Sequence, residues 1–191
     1  MILLVRHGET EWNLVRRYQG WGDSPLTRRG VAQAEAIGRK LGALPEAAGV
    51  PVVSSPLGRA RRTAELIQAA RVDLAPIAFD ERLKEISIGA WDGLDRDEIE
   101  ALSPGIFDGE GHHDWYFCCP GGETYDGFAA RVGGWLMEAR DRTLIVVAHG
   151  VVTRVLRGLY AGLGRAEALS LPVPQDVIWR LGDGRIKEIE V

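Results

Sequence analysis

Two stretches of this chain run an apolar segment straight into His-Gly: Ile2-Leu3-Leu4-Val5-Arg6-His7-Gly8 and Thr143-Leu144-Ile145-Val146-Val147-Ala148-His149-Gly150. Two of the chain's four histidines stand there. An imidazole is a competent nucleophile at neutral pH, because a pKa of about 6.5 leaves a large unprotonated fraction. The guanidinium of Arg6, next to His7, attracts an anionic electrophile, and a phosphoryl group is the natural one. Its negative charge calls for further donors. Arg59, in Ser54-Ser55-Pro56-Leu57-Gly58-Arg59-Ala60, falls where a helix should start after a strand, which is where anion sites form. Asn13 and the backbone amide of Gly20 can add donors to oxygens that gain charge in the transition state.

These residues need a scaffold that brings them together. A short Val/Ile/Leu-rich run reads as a strand buried on both faces, and in an open α/β sheet ligands bind at the carboxyl ends of such strands. If the two runs are neighbours, His7 and His149 meet in one crevice. Elsewhere, strands alternate with helices. Thr27 can cap a helix with Val31, Ala34, Ile37 and Leu41 on one face, ended by Gly42 and Pro45. Residues 51–54 form a strand, and a helix starting near Pro56 carries Ala60, Ala64, Ile67 and Ala70 inward. Another short extended piece covers 77–79, and a helix covers 95–102. A helix over 124–140 turns Phe128, Val132, Trp135 and Ala139 to the core, and one over 151–159 follows the second His-Gly. The segments 177–181 and 185–191, joined through Gly182-Asp183-Gly184, close as a hairpin. The sum is an α/β fold: a three-layer α/β/α sandwich whose central sheet is mostly parallel with an antiparallel edge.

With 191 residues, 46% of them hydrophobic and 26% charged, one domain spanning 1–191 is expected. The stretch 103–122, rich in Gly, His, Pro and aromatic residues, is longer than a usual connection and reads as a lid-like insertion. A net charge of -4 argues against nucleic acid or an anionic membrane as partner. Oligomeric state is left open. Met1 leads directly into a strand without a targeting signal, and the adjacent Cys118 and Cys119 are poorly placed for a structural disulfide, so a cytoplasmic location is expected.

Four blocks in order, Leu4-Val5-Arg6-His7-Gly8-Glu9-Thr10, Ser55-Pro56-Leu57-Gly58-Arg59-Ala60, Leu83-Lys84-Glu85 through Gly89-Ala90-Trp91-Asp92-Gly93, and Val147-Ala148-His149-Gly150, resemble the histidine phosphatase superfamily. The likeness is to the branch that includes cofactor-dependent phosphoglycerate mutases. It implies that His7 attacks phosphorus and becomes a phosphohistidine, while Arg6, Arg59 and His149 hold the equatorial oxygens. It implies that Glu85 protonates the departing alkoxide and later takes a proton from water. Asn13, Gly20 and Gly150 join the expected substrate contacts. Neither a metal nor a cofactor is implied, because the arginines and a protonated His149 supply the positive charge.

Several residues have plainer readings. Arg61 and Arg62 suit a solvated helix face, and Trp12 and Trp91 suit packing. Gln19-Gly20-Trp21 is either a plain loop or a substrate contact. His112, His113, Cys118 and Cys119 invite zinc, but the adjacent pairs lack the usual ligand spacing. Gly121-Gly122-Glu123-Thr124 resembles a segment of small phosphatases in the superfamily, and Glu123 either touches substrate or caps the next helix. A mutase must hold a bisphosphorylated intermediate under extra cations. Here Trp91 to Gly122 offers one basic residue, Arg96, among eight acidic ones. Hydrolysis of a small phosphorylated metabolite is therefore expected. The alternatives are a cofactor-dependent phosphoglycerate mutase and a non-catalytic phosphate-binding module.

Overall fold

In the computed structural model, which describes residues 1–71, 76–108 and 113–191, one sheet organises the chain. Its strands are β1 (Ile2–Arg6), β2 (Val52–Ser54), β3 (Ile77–Phe79), β4 (Leu144–Ala148), β5 (Val177–Gly182) and β6 (Arg185–Glu190), in the spatial order β3-β2-β4-β1-β5-β6. The first four in that order are mutually parallel, and β5 and β6 add an antiparallel edge. The two apolar runs are central neighbours: Arg6 lies opposite Ala148, and the His7 amide donates to the Ala148 carbonyl at 3.0 Å. His7 and His149 are therefore the first residues beyond two adjacent strand ends.

The helices are α1 (Glu11–Leu14), α2 (Arg28–Gly42), α3 (Gly58–Ala69), α4 (Arg96–Leu102), α5 (Tyr125–Ala139), α6 (Gly150–Ala161) and α7 (Arg165–Ser170). Strand periodicity sorts the apolar side chains to two faces. Leu3, Val5, Ile145 and Val147 pack with Ile37 and Leu41 of α2 and Ala60, Ala64 and Ile67 of α3. Leu4, Val146 and Ala148 pack on the other face with Phe128, Val132 and Trp135 of α5 and Val152, Val155 and Leu156 of α6. Two cores on opposite faces of one sheet are the three expected layers. No helix among the described residues is long and apolar enough to cross a membrane.

Side-chain caps set most helix starts. Thr27 accepts from the Gly30 amide and Thr124 from Gly127, while Asp95 and Glu98 form a reciprocal capping box on α4. One start differs from expectation. The third helix begins at Gly58, with Pro56 outside it, because Asp23 from a distant loop accepts the Arg59 amide at 3.1 Å and closes the helix end. The hairpin turn needs a left-handed backbone at both Asp183 (φ 55) and Gly184 (φ 69), the pattern of a two-residue primed turn. Two short helices, α1 and α7, had no expectation in the sequence.

Candidate active site

The carboxyl ends of β1 and β4 open into a cleft lined by Arg6, His7, Asn13, Gly20, Arg59, Glu85 and Gly150, among others. Of the expected site residues only His149 is absent from this lining. It is fully buried behind His7, their ring centroids 5.2 Å apart.

The two imidazoles are held differently. His7 Nδ1 lies 2.8 Å from the Gly8 carbonyl, so it is this nitrogen that carries the proton and donates. Nε2 is left with its lone pair; it has no protein partner and is not sealed from the cleft. For His149 it is Nε2 that is engaged, 2.7 Å from Ser55 Oγ, and buried Nδ1 has no partner. Ser55 Oγ also accepts from the Leu57 amide at 3.3 Å. Burial first, then the positive charges of Arg59 and Arg6, push the His7 pKa well below its ordinary value. The same causes, with His7 itself, push His149 down. Both shifts oppose the positive charge expected on His149.

The guanidiniums are anchored by carbonyls. Arg59 NH1 donates to Gly22 O at 2.6 Å and to Asp23, and NH2 donates to Gly20 O at 2.8 Å. Gly20 therefore contributes its carbonyl to the placement of Arg59, a role beyond the expected amide. Its left-handed φ of 49 and the Asp92 carboxylate, which would sit 1.8 Å from any Cβ, exclude other residues there. Arg6 NH1 donates to Val173 O at 2.6 Å. Nε of both arginines is buried without a partner.

Glu85 accepts from the Ile86, Val151 and Val152 amides at 3.1–3.3 Å, which seats its carboxylate on the first turn of α6. A Cβ on Gly150 would lie 3.6 Å from Glu85 Oε2 and 3.7 Å from Arg6 Nε, so this glycine separates acid from guanidinium. Asn13 Oδ1 accepts from Thr10 N and Gln175 Nε2, which leaves its NH₂ for the cleft.

Other residues of this site had no expectation attached. Ser55 is one. Arg131 is another: it makes a two-pronged pair with Glu123 and donates to the carbonyls of Arg82, Lys84 and Glu85. Glu123 also accepts from the Ser87 amide, so it touches neither substrate space nor the α5 cap, which is Thr124. The segment carrying Glu85 is held rigid by this clamp. Tyr116 and Arg154 also line the cleft. Arg154 follows Gly150 by four positions on α6, a helical repeat the sequence does contain. Nothing in the sequence marks Tyr116.

Trp91 is buried beside Trp115, as packing requires, and Arg61 and Arg62 are exposed on α3. Of the zinc candidates, His112 lies outside the described residues. His113 stacks on Tyr116, Cys118 is exposed and Cys119 buried.

A family model described as "Histidine phosphatase superfamily (branch 1)" matches residues 2–181. The chain belongs to this superfamily. This histidine phosphatase is 35% identical over 178 residues to the Salmonella paratyphi C protein named "Probable phosphoglycerate mutase GpmB", a match covering 85% of this chain and 75% of that one. Its fold is similar to Bacillus stearothermophilus YhfR at a TM-score of 0.79 and 32% identity, covering 99% and 95% of the two chains. It is similar as well to the mycobacterial glucosyl-3-phosphoglycerate phosphatase in its complex with VO3, at a TM-score of 0.76 and 28% identity, covering 100% and 96%.

Proposed function

We propose that this histidine phosphatase hydrolyses phosphomonoesters of small metabolites through a phosphohistidine on His7. The observation that carries the reading is the His7 ring itself. Its Nδ1 proton is committed to Gly8 O, its Nε2 lone pair opens to the cleft, and burial with two guanidiniums keeps it unprotonated at neutral pH. In the first step Nε2 forms a bond to phosphorus as the bond to the ester oxygen breaks, and Glu85 gives that oxygen its proton. In the second, Glu85 takes a proton from water, the water oxygen bonds to phosphorus, and the N–P bond breaks. Arg6, Arg59 and the Nδ1 side of His149 supply donors to the phosphoryl oxygens, with Asn13 and Gly20 beside them. No step requires a metal.

Hydrolysis is favoured over the mutase reaction by the cations available. Arg96, the one basic residue between Trp91 and Gly122, lies over the Phe107 ring, 4.0 Å from its centroid, and not in the cleft lining. Arg17 lines the cleft but is neutralised by two bonds to Glu98. A second phosphate dianion would meet Arg154 alone rather than a cationic cluster. Incubation with p-nitrophenyl phosphate in EDTA tests the reading: the wild type should turn over and His7→Ala should lose at least about 10³-fold. Acid-labile, base-stable phosphate on the quenched wild type should vanish in His7→Ala. Absence of turnover from acid to neutral pH would refute hydrolysis, and loss of activity in EDTA would refute the metal-free step. Conversion of 3- to 2-phosphoglycerate, dependent on 2,3-bisphosphoglycerate and faster than hydrolysis, would establish the mutase instead.

A further inference from the structure

Three successive carbonyls, those of Leu171, Pro172 and Val173, each accept from a different arginine: Arg154 Nε at 2.8 Å, Arg157 NH2, and Arg6 NH1 at 2.6 Å. This strap orients Arg6, a phosphate ligand in the proposed function, and it orients Arg154 by the same device. The other charges of the cleft are accounted for. Arg59 is bonded to Asp23, Arg17 to Glu98, and Glu85 is the only carboxylate among the lining residues. Arg154 is different. Among the described residues its NH1 and NH2 have neither a hydrogen-bond nor an ion-pair partner, although Nε is fixed and the side chain lines the cleft.

The positive charges of Arg154 and Arg6 oppose each other within the cleft. Tyr116 stands beside Arg154. Its ring lines the same cleft, packed against Trp115 at 4.1 Å between centroids, and no described residue hydrogen-bonds its hydroxyl. Burial raises the phenol's pKa, with Arg154 the strongest charge acting against that rise, so the hydroxyl remains a donor at neutral pH. The two free NH₂ groups of one guanidinium and a phenol hydroxyl that can donate line the same cleft.

We propose that Arg154 and Tyr116 form a subsite for a carboxylate on the alcohol portion of the substrate, so that the preferred esters are phosphorylated hydroxy acids. A carboxylate fits because it is planar, singly charged and matched to the two remaining nitrogens of one guanidinium. A second phosphate, doubly charged, would leave one negative charge uncompensated. The inference rests on the phosphomonoester reading for the placement of the phosphoryl group at His7. Its own content is a second contact, made by Arg154 and Tyr116.

Two probes differ by a carboxylate alone: O-phosphoserine and O-phosphoethanolamine. Binding is read by calorimetry on His7→Ala, which cannot turn either over, and so the result does not depend on hydrolysis. O-phosphoserine should bind at least about tenfold more tightly, the value of one charge-assisted pair. The double variant His7→Ala/Arg154→Gln should reduce that ratio to below about threefold, and Tyr116→Phe should reduce it partially. In the active enzyme, Arg154→Gln should lower kcat/KM on O-phosphoserine tenfold more than on p-nitrophenyl phosphate. Equal binding of the two probes, or a ratio that survives Arg154→Gln, would overturn the subsite while leaving hydrolysis standing. Absence of turnover with a preserved ratio would refute hydrolysis and leave the subsite standing. A stronger preference for a bisphosphorylated ester than for O-phosphoserine would also overturn it.

Discussion

The two histidines that end the twin strands are chemically unequal because of what each ring nitrogen touches. His7 donates from Nδ1 to the Gly8 carbonyl and keeps a free Nε2, whereas His149 Nε2 is hydrogen-bonded to Ser55 Oγ and its Nδ1 is buried and unpartnered. If the Ser55 hydroxyl donates to Nε2, His149 carries its hydrogen on Nδ1 and can donate to a phosphoryl oxygen. We expect His149→Ala to form phosphohistidine more slowly, by about 10²-fold, and His7→Ala to form none. Ser55→Ala should slow labelling by about tenfold, with kcat falling more than KM rises, and Ser55→Thr should restore most of it. The ¹⁵N shifts of His149 report the tautomer directly, and a Ser55→Ala enzyme with unchanged shifts and rate would remove Ser55 from the mechanism.

At the scale of elements, much of the fold was legible. Helices α2 and α5 carry clear apolar periodicity and Thr caps, and the closing hairpin has its Asp-Gly turn. Arg6, His7, Arg59 and Glu85 were legible too, because short motifs place them at the ends of strands or in a turn. The rest depended on contacts distant in sequence. Asp23 displaces the start of α3, Glu123 serves Arg131 across α5, and the 171–173 strap acts through carbonyls that no side-chain pattern reveals. The Arg131 clamp makes a prediction at this scale. Three of its five donated bonds join α5 to the segment carrying Glu85 and two go to Glu123, and both ion-pair partners are mostly buried. Arg131→Ala leaves Glu123 unpaired and should cost about 1–3 kcal/mol of stability in urea unfolding. If the clamp positions the proposed acid, kcat/KM should fall more for glycerol phosphate, whose alkoxide needs a proton, than for p-nitrophenyl phosphate, a good leaving group. An equal fall for both would make the clamp purely structural.

At the scale of the whole molecule, placing two strand ends side by side at the centre of the sheet buries two imidazoles between two arginines. Burial and those charges hold both histidines neutral far below the pH at which an unfolded chain would protonate them. From about pH 6.5 downward the unfolded state therefore takes up protons that the folded state refuses, and stability must fall with falling pH. Each imidazole contributes a slope of up to about 1.4 kcal/mol per pH unit in that window. Carboxylates held low by ion pairs, such as Asp80 beside Arg82 and Glu98 beside Arg17, act in the same direction but nearer pH 4. Urea unfolding at pH 7.5 and 5.5 separates the two groups. The wild type should lose stability across this interval, and His149→Gln, which has one fewer buried imidazole, should lose about 1 kcal/mol less. The same loss in both proteins would show that His149 is protonated in the folded state. Inorganic phosphate should then narrow the wild-type difference, because an anion among Arg6, Arg59 and the imidazoles offsets the positive field that holds their pKa values down and favours proton uptake by the folded state.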